Sequence, residues 1–191
     1  AGNGSTPSIN EFLAKNSTTN PDSAGEFDDW VEILNRAGNS VDLGGLFLSD
    51  NPANLTKWEF PAGTTVQPGE TVLVWADEDG SQGPLHANFK LSGSGEEIFL
   101  TAPDGSTVLD SIQFGEQLDD VSTGRFFDGQ SAWVTFSAPT PGVANEQACG
   151  HRAYDQLDPS VHGLSLTGTG NPALGGTADI EISGAASGDG I

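Results

Sequence analysis

The sequence predicts an all-β sandwich, on three observations. Short apolar runs rich in Val, Ile, Phe and Trp recur from residue 8 to about residue 145, separated by Asn, Asp, Gly and Ser. A helical period appears over no useful length. The 26 Gly and 11 Pro suit many turns between short strands, and four Trp and ten Phe can fill the middle of a sandwich whose outer faces stay polar.

Taken in order, residues 9–14 read as a first strand and residues 30–35 as a second, in which Val31 and Ile33 point inward while Glu32 faces the other side. Residues 43–49 follow, with Gly44-Gly45 permitting a bulge or a close strand approach. Trp58-Glu59-Phe60 runs into a turn segment in which Pro68 and Gly69 suit the central positions of a type II turn. Residues 71–75, Thr-Val-Leu-Val-Trp, are the strongest candidate for a buried strand. After a polar loop over 76–84, residues 89–91 and 97–100 give two short strands, and Pro103-Asp104-Gly105 turns the second into a hairpin with residues 108–114. Residues 122–126 and 133–136 are the last strands before Thr140-Pro141-Gly142-Val143-Ala144-Asn145, where Gly142 serves a turn. The four tryptophans lie in strand runs where their area is needed for packing.

This gives three parts: a disordered segment over 1–7, a sandwich domain over 8–145, and a Gly-rich C-terminal extension over 146–191. The extension holds two alternating runs, 162–166 and 178–183, joined by Gly-rich residues 167–176. Two strands are marginal alone, so the extension is expected to be the truncated start of a further β domain in a longer protein.

Charge narrows the partners. The chain carries 27 acidic and 6 basic residues, a formal charge of −21. That opposes nucleic acid, which is held through Lys and Arg, and it opposes anionic membrane surfaces. Cations and basic partners are favoured. Cys149 stands alone, so no intrachain disulfide forms. No run of about 20 apolar residues exists to enter a bilayer.

The pattern pointing to chemistry is the loop Pro21-Asp22-Ser23-Ala24-Gly25-Glu26-Phe27-Asp28-Asp29. Asp22, Glu26, Asp28 and Asp29 offer carboxylates within one turn-rich segment, with Asn16 and Asn20 nearby. Calcium takes six to eight oxygens on a flexible frame, so these four residues are the expected calcium ligands, against the plainer reading of a solvated acidic loop. A second acidic run, Asp77-Glu78-Asp79-Gly80, fails the EF-hand pattern because Asn88 stands where Glu is needed. Proximity of Asp77 or Asp79 to the first loop would strengthen both. His86, His151 and His162 are scattered, and neither a HExxH, a CxxC nor a G-x-S-x-G pattern occurs. No carboxylate pair is singled out for acid–base work, and no catalytic residue is expected.

The succession Ile9-Asn10-Glu11, Asp29-Trp30-Val31-Glu32-Ile33, Val41-Asp42-Leu43-Gly44-Gly45, Trp58-Glu59-Phe60-Pro61, Val66-Gln67-Pro68-Gly69-Glu70, Phe89-Lys90-Leu91-Ser92, Gly124-Arg125 and Thr140-Pro141-Gly142-Val143-Ala144-Asn145 resembles the lamin-tail domain in its bacterial extracellular form. The resemblance spans residues 8–145 and implies an immunoglobulin-like β-sandwich. It implies an interaction module more than a catalyst. No heptad rod precedes residue 8, so filament assembly does not carry over, and the acidity opposes the DNA binding of lamin tails. The expected function is a non-catalytic module or spacer at the cell surface that binds a protein or glycan. The alternative is an accessory domain of an exported hydrolase.

Overall fold

A computed structural model describes residues 7–145. The chain divides into two units, residues 1–150 and 151–191. Residues 1–6, the C-terminal extension with its two alternating runs, and Cys149 lie outside the described residues.

Twelve strands and no helix make up the described part: β1 (Ser8–Leu13), β2 (Asp29–Leu34), β3 (Val41–Asp42), β4 (Phe47–Ser49), β5 (Trp58–Glu59), β6 (Thr65–Val66), β7 (Thr71–Ala76), β8 (His86–Ala87), β9 (Glu96–Thr101), β10 (Val108–Phe114), β11 (Ser122–Arg125) and β12 (Trp133–Phe136). A six-stranded sheet runs β12-β11-β1-β2-β7-β8 and a four-stranded sheet runs β10-β9-β4-β5, with β3 and β6 as a separate pair. All pairings are antiparallel except that of β7 with β8. The sheets pack as an immunoglobulin-like sandwich. One core joins Ile9, Phe12, Val31, Ile33 and Val74 of the larger sheet to Leu48, Ile98, Leu100 and Phe114 of the smaller. Phe12 and Phe114 rings meet at 4.5 Å across the layers.

Turn chemistry sets the frame. Gly69, at φ +74°, takes the third position of the turn closed by the Glu70 amide on the Gln67 carbonyl, as the Pro-Gly pair predicts. Gly44 lies against the 61–62 backbone, where an added Cβ would sit 2.8 Å from Ala62 Cα, so the close approach expected of this glycine pair is met. In the β9–β10 hairpin, Asp104 accepts the Ser106 and Thr107 amides and the Thr107 hydroxyl, and these donors pull its carboxyl down to about 2.

Three readings shift. Residues 43–46 form a turn, with the Leu46 amide on the Leu43 carbonyl, so that strand shortens to β4. In the expected strand at 89–91, Lys90 makes only an isolated bridge to Asp77, and the edge pairing goes to β8 instead. The strands buried on both faces are β1 and β2, not β7. β2 has the six-residue strands β1 and β7 as neighbours, whereas β7 has only two-residue β8 beyond it and stays half-exposed at Thr71, Val72 and Leu73. A strand covered on both faces reads as a nearly continuous apolar run, and in β2 only Asp29 and Glu32 interrupt it. Trp30 is fully buried, while Trp58, Trp75 and Trp133 pack at the margins.

Candidate functional site

The loop between β1 and β2 folds around Asp22. Asp22 Oδ1 accepts the Ala24 and Glu26 amides at 2.9 and 2.8 Å, an Asx turn that Gly25 completes at φ +86°. This draws Asp22 inward to 8% exposure and leaves its second oxygen, Oδ2, without a partner. Asp28 Oδ2 is likewise buried and unpartnered. Burial pushes the Asp28 carboxyl up, and the charges of Asp77, Asp22 and Glu26 add to the push.

Asp29, one residue on, is turned to another task. It accepts the Asn16 amide at 3.2 Å and a backbone bond from Leu91, and burial holds its carboxyl at about 6. Asn16 is also spent on the loop itself: its side-chain oxygen accepts the Thr19 amide and hydroxyl, and its Nδ2 donates to the Asn20 and Asp28 carbonyls. The loop thus folds Glu26 back onto Asp22, leaves Asp28 within the reach of both charges, and sets Asp29 apart as a backbone anchor.

The loop from Asp77 to Leu85 comes alongside. Gln82 Nε2 donates to Glu26 Oε2 at 2.6 Å, while Gln82 Oε1 is buried without a donor. Asp77 Oδ1 accepts the Asp79 amide and Oδ2 bonds His86 Nδ1, whose ring stacks on Trp75. Among the described residues no group of three or more His, Cys, Asp or Glu side chains is gathered as a metal site. Gln82 went unread in the sequence, because an amide 56 positions from Glu26 carries no spacing signal.

A second carboxylate cluster lies on the outer face of the larger sheet. Glu11 and Glu32 are cross-strand partners, and both are fully buried. Glu11 accepts the Ser122 hydroxyl, the Thr140 amide at 3.0 Å and the Thr140 hydroxyl at 2.6 Å. Glu32 accepts Asn10 Nδ2 at 2.9 Å and the Gly142 amide at 2.6 Å. Asn145 closes the arrangement by donating its Nδ2 to the Arg125 carbonyl and its amide to Asp128. The polar face expected around Glu32 is thus covered by residues 140–145, strapped down by two carboxylates. Burial is the leading influence on both acids, raising Glu11 and bringing Glu32 to about 7 against the donors that favour its charged form.

Arg125, in β11, ties this strand to β1 and β10. Its Nε donates to the Ile9 carbonyl, its Nη1 to the Gln130 carbonyl and its Nη2 to Asp110 at 2.7 Å, over the face of Trp133. The two depressions nearest these groups are open and shallow. Both include Gly69 and Asp128 in their lining, one together with Arg36 and Gln130 and the other with Glu70 and Gly142, and Asp128 itself is bonded to Asn10 and Asn145.

A family model described as Lamin Tail Domain matches residues 2–116. No curated protein and no solved structure gives a significant match. The matched stretch runs from before β1 to just past β10, taking in the smaller sheet and β1, β2, β7 and β8 of the larger but not β11 and β12, and it covers more than half of the 191 residues. The chain therefore belongs to the lamin tail domain family.

Proposed function

We propose that the chain is a non-catalytic interaction or spacer module of a larger exported bacterial protein, presented at the cell surface to a protein or glycan. The observation that carries this reading is the use made of the buried carboxylates. Glu11 and Glu32, which a hydrolase would aim at a substrate, are closed over by residues 140–145 and spent on backbone amides and hydroxyls. An immunoglobulin-like sandwich that presents loops and sheet edges suits recognition through its surface. The formal charge of −21 favours basic or neutral partners and supports the exclusion of nucleic acid. In this reading the acidic loop before β2 serves stability through a bound calcium ion rather than recognition.

The test is to probe arrays of surface glycans and exported proteins with the chain and to recover what is retained. The reading predicts a ligand that returns chemically unchanged, and antibody to residues 7–145 that labels intact cells expressing the whole protein. Product formation from a panel of polysaccharide, peptide, ester or phosphate substrates would overturn it, as would labelling only after permeabilisation.

A further inference from the structure

Six buried side-chain polar atoms among the described residues lack a hydrogen-bond partner: Ser8 Oγ, Asp22 Oδ2, Asp28 Oδ2, Trp30 Nε1, Gln82 Oε1 and Thr101 Oγ1. They fall into two kinds. Ser8, Trp30 and Thr101 carry hydroxyl or indole hydrogens and sit singly in strands. The other three are ionised or amide oxygens that can only accept, and all three lie in the two loops that meet beside β2. Unpartnered buried acceptors carry a desolvation cost that one cation can relieve at several oxygens together.

Two further observations link the loops that carry them. The 2.6 Å bond from Gln82 Nε2 to Glu26 Oε2 pins the amide across the gap between the loops, and it leaves Oε1 as the free end. Asp28 is raised first by burial and then by Asp77, Asp22 and Glu26, so these carboxylates are near enough to repel one another. We propose that Asp22 Oδ2, Asp28 Oδ2 and Gln82 Oε1 are ligands of a calcium ion that ties the β1–β2 loop to the loop following β7.

The ligand set decides the metal. It offers oxygen alone, since His86 is committed to Asp77, and so does not suit zinc. An amide oxygen beside two carboxylates on irregular loops suits the large, adaptable shell of calcium better than the strict octahedron of magnesium. Three carboxylates do not converge by themselves. Gln82 is therefore integral to the site, and Asp29, bonded to backbone amides, stands outside it. The site deepens the stabilising half of the proposed function and rests on that reading for its purpose alone.

The test uses the full chain, stripped with chelator, in about 0.15 M salt to suppress diffuse counter-ion binding. Calcium titrated calorimetrically is expected to bind at one saturable site. At a hundredfold excess over Kd it should raise Tm by on the order of 5–10 °C, with a smaller rise from magnesium. Asp22→Asn, Asp28→Asn and Gln82→Ala should each weaken binding at least tenfold, while exposed Glu59→Gln leaves Kd unchanged. Asp22→Asn keeps the oxygen that holds the Asx turn, and the variants' melting curves in chelator show whether the fold is intact. Should Asp22→Asn unfold, terbium luminescence excited through Trp30 and Trp75, paired across β2 and β7 close by, reports the same site in Gln82→Ala. No saturable binding, variants that bind like the parent, or equal weakening by Glu59→Gln would overturn the proposal. Ligand retention in chelator, measured on the arrays above, tests the module reading separately.

Discussion

Stability should fall as the pH rises from 4.5 to 8, opposite to the usual loss of paired carboxylates in acid. Glu32 is the reason. Its ordinary value is 4.5 and burial brings it to about 7, so between these values the folded state holds a proton that the unfolded chain has released. The contribution is therefore fully present below pH 4.5 and is lost as pH rises through 7. Each pKa unit is worth about 1.4 kcal/mol, so the interval amounts to roughly 3 kcal/mol, a large share of a typical domain's stability. Glu11 and Asp29 are raised as well and act in the same direction. Asp79, Asp104 and Asp120 are lowered, so their contributions are lost only as pH falls below the ordinary aspartate value of 3.8, outside this window. Urea unfolding at half-unit steps from pH 4.5 to 8, in enough salt to screen the general repulsion of a −21 chain, measures the slope. Glu32→Gln should flatten it by roughly the stated amount. A profile that rises with pH, or a variant with the parent's slope, would refute the reasoning.

Three substitutions test the packing around β11 by urea unfolding. Gly124→Ala would place a Cβ 2.7 Å from Phe136 Cε2 and 3.0 Å from Glu11 Cγ, and overpacking of this kind costs about 1–3 kcal/mol. Asn145→Ala removes the Nδ2 bond to the Arg125 carbonyl in a fully buried place, for a loss of about 2 kcal/mol. Arg125→Lys keeps the charge but cannot serve Ile9, Gln130 and Asp110 together, and should cost about 2 kcal/mol or more.

Much of the fold was legible because β-sandwiches write their strands locally. The runs at 9–14, 30–35, 108–114 and 133–136 match β1, β2, β10 and β12 to within one residue, and the turn glycines fall where φ is positive. What the sequence hid is set by distant chain. Residues 71–75 look buried, yet exposure depends on having only β8 beyond. Glu32 looks like the polar side of an alternating strand, yet residues 140–145, more than a hundred positions later, cover it. A hint was present, since Trp30 and Leu34 share the face of Glu32 and a solvated face would not carry them. For the candidate site, the acidic, turn-rich loop was readable from composition, while the Asx turn at Asp22 emerged only in the structure. The departure of Asp29 to Asn16 and the arrival of Gln82 follow from tertiary packing and leave no local trace.

The central claim is that Glu11 and Glu32 hold the 140–145 segment onto the sheet instead of acting on a substrate. Amide hydrogen exchange at Thr140 and Gly142 measures this directly, because these amides bond only if the two carboxylates grip them. The account predicts exchange as slow as in β1 and β2, accelerated at Thr140 by Glu11→Ala and at Gly142 by Glu32→Ala in variants that remain folded. Rapid exchange of both amides in the unaltered protein would contradict it.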